Sequence, residues 1–466
     1  MITYDFEEAG EPLYIFLYKS IKKDILSGKL RPHEKLPSKR TFARNNGIST
    51  ITIQNAYDQL ISEGYIYTVP KKGYYVSSLD KMVHQDLKAK VNYNIRIPSD
   101  EDYEFDLSSN RINPDNFPFS IWNRLSREIM NDRKEDLMKI SPTAGVRELR
   151  EAIASHLKSF RGMLVDPDQI MIGSGTEYFY GLIVQLLGRD KVYVIENPGY
   201  RKLEKIYRKQ DIESRFASLD EKGVTVDELE KSGAEVAHIC PNHHFPTGIT
   251  MPASRRYEIL SWANSDEGRY IIEDDYDSEF RITGKPIPPL FSIDACEKVI
   301  YINTFSKTLS PTIRVSYMVL PVHLANLFYR TMSFYACTVS NFEQYTLYKF
   351  ISDGYLEKHI NRMRLYYLRK RKRIMDIISM SGLSDRCSMI ENDSGLHFLI
   401  KIDTGRKDSS IKRKLKEHGI KLNALSEYYF TGEGEQHFFI VNYSNLDEEK
   451  LKGALKAVAD IKWSQR

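Results

Sequence analysis

One lysine stands in a stretch that would change its chemistry. Thr304–Pro321 reads TFSKTLSPTIRVSYMVLP, with Lys307 among small and hydroxylated residues and Arg314 seven places on. Taking an amine out of water disfavours its ammonium form. The neutral amine is the form that attacks an aldehyde, which suits Lys307 to Schiff-base chemistry. Arg314 brings a planar fork of N–H donors that matches a phosphate. A nucleophilic lysine, small hydroxyls and a phosphate-reading arginine together fit pyridoxal phosphate (PLP). Two further stretches fit the same ligand. Ile271–Phe280, IIEDDYDSEF, passes from apolar into acidic residues, as a buried strand does when it delivers carboxylates at its C-terminal end. A carboxylate there can keep a pyridine nitrogen protonated, so that the ring draws electrons. Gly173–Gly181, GSGTEYFYG, follows the apolar run Gln169–Ile172 and leads into a helical pattern, so its backbone N–H groups and hydroxyls face an anion.

These stretches need a scaffold that brings strand ends together. From Phe105 on, apolar runs alternate with longer amphipathic stretches. The runs are Ile170–Ile172, Val192–Ile195, Val236–Ile239, Tyr270–Ile272, Val299–Ile302 and Val315–Leu320. The alternation predicts an α/β fold with a mostly parallel sheet covered by helices. Ligands then bind at the carboxyl ends of the strands, where the motifs fall. After about Ser340 the pattern is helical through Leu365–Ile378, then mixed, which predicts a smaller C-terminal α+β subdomain.

The N-terminal segment has a different grammar. Leu13–Ser27 carries apolar residues at helical spacing and stops at Gly28; LRPHEKLPS reads as a loop. Ser38–Asn46 is a second short helix ended by Gly47, and Ser49 is a natural N-cap for a third helix, Thr50–Ser62, ended by Gly64. Tyr65–Val69 and Gly73–Val76 bracket Pro70-Lys71-Lys72 as a hairpin wing. This order is a winged helix-turn-helix, whose third helix enters the major groove of double-stranded DNA. Ser49, Thr50, Thr52 and Gln54 are its polar reading positions, and Ile53, Ala56, Tyr57 and Leu60 its packed face. Gln54 can pair with adenine. Arg40 on the second helix, with Lys71, Lys72 and Gly73 on the wing, belongs to the phosphate-contacting surface.

Composition bounds these readings. The chain of 466 residues has room for two or three domains, and a net charge of +4 confines DNA contact to a local patch. Cys240, Cys296, Cys337 and Cys387 lie far apart without metal-site spacing. The acidic start MITYDFEEAG has no signal-peptide core, and no apolar run spans a membrane. The expectation is a soluble cytoplasmic protein that binds no metal.

The motifs LPSKRTFARNNGIS, SPTAGVRELREAIASHLKSFRG, ENPGY, CPNHHFPTG, IEDDYDSEF and TFSKTL cover nearly the full length. They resemble the MocR/GabR subfamily of GntR-type bacterial regulators. From about Glu104 the chain resembles a fold-type I aminotransferase domain. The resemblance implies a winged helix-turn-helix over 1–77, a linker over 78–104 and an aminotransferase-like, PLP-binding effector domain over 105–466. It makes Lys307 the Schiff-base lysine, Asp274 the partner of the ring nitrogen and Tyr276 the partner of the ring hydroxyl. Tyr200 stacks on the ring or is a packed loop tyrosine. Ser174, Gly175 and Thr176 cradle the phosphate, joined by Ser306 or Thr304 and by Arg314.

The chain also departs from the resemblance. Aminotransferases of this class hold the substrate carboxylate with an arginine in the C-terminal subdomain, yet no arginine lies between Arg413 and Arg466. Lys202 is the nearest substitute. His243 and His244 precede Phe245, which stands where aminotransferases carry asparagine; either histidine polarises a ligand oxygen or holds the loop. Thr50 and Gln54 stand where related regulators often carry arginines. The expected function is a PLP-dependent transcription regulator that senses PLP itself or a small amine or amino acid, with residual transaldimination or half-transamination at most. The alternative is a working aminotransferase whose DNA-binding module controls its own gene. The resemblance also implies a C2 homodimer.

Overall fold

Helical periodicity and its stop signals build the first part of the chain. The structure is a computed structural model that describes residues 4–6, 10–79, 95–97, 102–109, 111–281, 287–381, 383, 387–390, 395–402, 404–432, 434 and 437–461. It divides into two units, residues 1–100 and 101–466. In the first, α1 (Leu13–Leu26) buries Leu17, Ile21 and Ile25 along one stripe. Strand β1 (Lys35–Leu36) precedes α2 (Lys39–Asn46), which Ser38 caps by accepting the Thr41 N–H and left-handed Gly47 ends. Ser49 caps α3 (Thr50–Ser62) in the same way, through the Thr52 N–H. Ile53, Ala56, Tyr57 and Leu60 on α3 are fully buried. Strands β2 (Ile66–Val69) and β3 (Gly73–Val76) form the hairpin, and β1 adds a third strand on β3. β1 lies within LRPHEKLPS, which the sequence pattern alone assigns to loop. Two residues are too few to show alternation, and the pairing depends on Tyr74 and Tyr75 far along the chain.

The second unit begins with β4 (Phe105–Asp106) and carries an eight-stranded sheet. Its strands are β5 (Ile170–Gly173), β6 (Tyr193–Asn197), β7 (Ser214–Asp220), β8 (Gly223–Val224), β9 (Val236–Ile239), β10 (Tyr270–Asp275), β11 (Val299–Thr304) and β12 (Ser316–Val319). Their order is β5-β12-β11-β10-β9-β6-β7-β8. The five central strands β11-β10-β9-β6-β7 run parallel, while β12 runs against both neighbours and β8 folds back on β7. Central strands buried on both faces read as unbroken apolar runs, which is why most were visible in the sequence. β7 was not, because it is half-exposed and carries serine, arginine and aspartate. The parallel register sets Asp274 beside Ile302 and Asp275 beside Asn303, so β10 and β11 deliver their C-terminal residues to one edge.

After the 25-residue helix Tyr355–Ser379 comes an antiparallel sheet, in the order β13 (Cys387–Ile390), β14 (His397–Ile402), β17 (Phe438–Asn442), β16 (Asn423–Ala424). Strand β15 (Ile420–Lys421) pairs with β4, so the start of this unit is tied into its C-terminal subdomain. The helical pattern expected after about Ser340 is two helices, Asn341–Ser352 and Tyr355–Ser379, parted at left-handed Gly354. Most of the linker expected over 78–104 lies outside the described residues. Among the described residues, no helix is long and apolar enough to cross a membrane.

Candidate ligand site and nucleic-acid interface

A cavity of about 240 Å³ lies where β6, β9, β10 and β11 end. Lys307 reaches it from the short helix Phe305–Thr308, which Thr304 caps by accepting the Ser306 N–H at 3.1 Å. Burial lowers the Lys307 pKa below its ordinary value, partly opposed by Asp277. The amine is therefore more readily neutral than on the surface, as nucleophilic attack on a carbonyl requires.

Asp274, next to last on β10, lines the cavity and is buried. Its Oδ2 accepts from the Tyr180 hydroxyl at 2.6 Å and lies 3.5 Å from His238 Nε2. The His238 Nδ1 lies 2.7 Å from the Tyr207 hydroxyl. If that hydroxyl donates, the imidazole proton sits on Nε2, facing Asp274. The buried Asp274 Oδ1 has no partner among the described residues. Leaving a buried acceptor unanswered is costly, and a cationic ring nitrogen is a donor that would answer it. Two residues on, the Tyr276 hydroxyl lies 3.1 Å from His243 Nδ1, which is itself 2.9 Å from Asp277 Oδ2. Burial, reinforced by Asp277, raises the Tyr276 pKa well above its ordinary value, so the phenol keeps its proton.

The other end of the cavity suits an anion. Gly175 has φ +88°, and a Cβ there would fall 2.3 Å from Arg314 Nη2, so the guanidinium lies against the glycine's open face. Thr176 opens the helix Thr176–Leu187 beside it. The buried Ser306 Oγ has no partner among the described residues, whereas the Thr304 Oγ1 accepts from Ser316 Oγ at 2.8 Å as well as from the Ser306 N–H. Of that pair, Ser306 has the hydroxyl to spare. Ser174 stands outside the lining, and its N–H donates to Thr338 Oγ1 at 2.9 Å.

The expected effector residues separate. Lys202 lies outside the lining and is ion-paired with Glu177, so it is not a free anchor for a ligand carboxylate. His243 is buried behind Tyr276 and also stands outside the lining. His244 does line the cavity, with Nδ1 2.7 Å from Thr247 Oγ1 and Nε2 3.5 Å from Glu196 Oε2. Burial drives the His244 pKa down to about 3 and lifts the Glu196 carboxyl to about 8, although Glu196 accepts the Cys240 N–H at 2.8 Å. At neutral pH both are mainly uncharged. Tyr200 lines the cavity with its ring edge-on to Phe245, the centroids 6.1 Å apart.

On the first unit, Arg40, Ser49, Thr50, Gln54, Lys71 and Lys72 are exposed, Thr52 and Gly73 half-buried. The Ser49 and Thr52 hydroxyls lie 2.9 Å apart and form the helix cap, which competes with the base or phosphate contacts expected of them. Ile51 is 69% exposed at the start of α3, where it can meet a thymine methyl.

Both units match known proteins. Residues 13–76 match the family model of bacterial regulatory proteins, gntR family, and residues 105–458 that of aminotransferase class I and II. The chain is 32% identical to the uncharacterized HTH-type transcriptional regulator YdeL of Bacillus subtilis, over 96% of this chain and 97% of that protein. It is 26% identical to the probable rhizopine catabolism regulatory protein MocR of Rhizobium meliloti, over 98% and 95%. The chain belongs to the MocR/GabR subfamily of GntR-type transcription regulators. The second unit has the aminotransferase fold: kynurenine aminotransferase of Pyrococcus horikoshii superposes with a TM-score of 0.66 at 24% identity, covering 77% of this chain and 90% of that one. Relatives matched across both units carry regulator names, which favours the regulator over the working aminotransferase.

Tyr180, His238, Glu196 and His397 also line the cavity of this MocR/GabR regulator, and none of them is among the site residues expected from the sequence. Tyr180 lay inside the Gly-rich motif already singled out, and a polar residue in an apolar strand was the signal for His238. His397 heads the strand HFLIKI, lines the cavity, and sets its Nε2 3.1 Å from the Pro246 carbonyl. Glu196 offers a pH test. Its folded pKa of about 8 lies above the ordinary 4.5, so between those values the folded state holds a proton that the unfolded state has lost. Stability from this group therefore falls as pH rises through that window. Glu196→Gln keeps an acceptor for Cys240 and removes the titration. Its melting temperature should exceed the wild type's by a margin that opens between about pH 5 and about pH 8; a margin independent of pH would contradict the assignment.

Proposed function

We propose that this regulator binds PLP through Lys307, and that occupancy of the cavity sets how its winged helix holds operator DNA. Asp274 Oδ1 carries the reading: a buried oxygen with no donor among the described residues, on a carboxyl group that lines the same cavity as a lysine whose ammonium form is disfavoured. PLP, when bound, supplies an aldehyde that captures amines and a ring that draws electrons. Asp274 would hold the ring nitrogen, backed by Tyr180 and His238. Tyr276 would donate to the ring hydroxyl, and Tyr200 would cover a ring face. Gly175, Thr176, Ser306 and Arg314 would take the phosphate.

The effector we propose is PLP itself, or an amine whose recognition requires no carboxylate. Lys307 and Arg314 are the lysine and arginine among the described residues lining the cavity, and both are committed to PLP in this reading. From the C-terminal subdomain, β17 brings Asn442, and no arginine, to the described lining. An unpaired carboxylate in a desolvated site costs several kcal/mol, roughly, which disfavours ordinary amino acids.

A C2 homodimer fits the surface. Met138, Ile140 and Phe334 are more than 70% exposed, and Thr143 binds the Ser333 and Tyr335 carbonyls next to Phe334. A second copy would cover these side chains and pair two winged helices on direct or inverted half-sites. A monomer by light scattering at micromolar concentration would contradict this. The cofactor assignment is tested by absorption. Wild type loaded with PLP should show a visible band that Lys307→Ala lacks while keeping its circular dichroism spectrum. A variant that retained the band would overturn the role of Lys307.

A further inference from the structure

Resting on the reading that a phosphate-bearing ligand occupies this cavity, the anion end holds one group that the reading leaves idle. Glu177 is the second residue of the helix Thr176–Leu187 and lines the cavity. Its Oε1 is ion-paired with Lys202 and lies 4.0 Å from Arg314 Nη2. An acidic residue in a first helical turn ordinarily serves the helix dipole. Here the same N-terminus and the same arginine form the phosphate cup, so the carboxylate stands where a ligand's negative charge must come. Lys202 and Arg314 carry two positive charges, and Glu177 cancels one of them.

We propose that Glu177 is a resident counter-anion of the phosphate cup. It weakens the hold on the ligand's phosphate, so the ligand is released and sensed rather than kept, and Lys202 moderates the effect by sharing the carboxylate with Arg314. Glu177, Lys202 and Arg314 are 39%, 49% and 48% exposed, so solvent screens their interactions and the effect has the size of a surface pairing. Glu177→Gln, which keeps the shape, should tighten PLP roughly three- to tenfold. Lys202→Gln should loosen it by freeing the carboxylate for Arg314. That loosening should be larger in wild type than in the Glu177→Gln background, because the two residues act as a pair.

The test is titration of the full chain, stripped of ligand, with PLP, with pyridoxal and with inorganic phosphate, followed by tryptophan fluorescence. Glu177→Ala serves as a second variant in case Glu177→Gln disturbs the fold. The proposal expects PLP and phosphate to tighten in both Glu177 variants while pyridoxal, which has no phosphate, stays within twofold. Unchanged or weaker PLP and phosphate binding in folded Glu177 variants would overturn it. So would equal tightening of PLP and pyridoxal, since the effect would then lie away from the phosphate. If wild type binds no PLP, the cofactor reading fails instead, and the phosphate titration still decides the role of Glu177.

Discussion

A carboxylate taken out of water has to be answered, and the second unit is arranged around one that is answered only on one side. Asp274 Oδ2 accepts a tyrosine hydroxyl and lies 3.5 Å from His238 Nε2, while Oδ1 has no partner among the described residues. Its neighbour shows the contrast. Asp275 Oδ2 lies 2.7 Å from the Arg161 guanidinium and accepts the Tyr301 hydroxyl at 2.7 Å, so it has a resident cation, whereas Asp274 has none. The groups that hold Asp274 come from three places: Tyr180 from the helix after β5, His238 from β9, and Tyr207 from the helix after β6. Only a parallel sheet that stacks strand ends on one edge brings them together.

The same economy of charge runs through the cavity. Burial leaves His244 and His397 with lowered pKa values and Glu196 with a raised one, so these lining groups are mainly uncharged near neutral pH. Lys307 is shifted in the same direction by the same cause. The lining also brings two aspartates, Asp274 and Asp277, and, at the anion end, Arg314 with Glu177. A ligand that carries a cationic ring nitrogen and a phosphate answers both ends.

Much of this was legible in the chain because it is local. Helix caps at Ser38 and Ser49, the packed face of α3, the apolar-to-acidic run of β10 and the lysine of TFSKTL each depend on neighbours a few residues away. The long-range parts were not. Nothing near Lys202 announces that Glu177, twenty-five residues earlier, will take its charge. The assignment of Lys202 as a carboxylate anchor rested on proximity to Tyr200, and the fold turned it to the rim instead. Gly-Ser-Gly before a helix points to Ser174, but Thr338, 164 residues on, takes its N–H. His397 comes from the C-terminal subdomain, and no local spacing links it to the lysine that shares its cavity.

The central claim is that the state of this cavity is read out at the DNA. The most direct measurement is the affinity of ligand-free and PLP-loaded protein, at one fixed salt concentration, for an operator selected from random-sequence DNA by the full chain. The account predicts that loading changes that affinity by about fivefold or more, as a coupling of ordinary size would, and that Lys307→Ala abolishes the change. Equal affinity in the two states, with PLP shown to be bound, would contradict it.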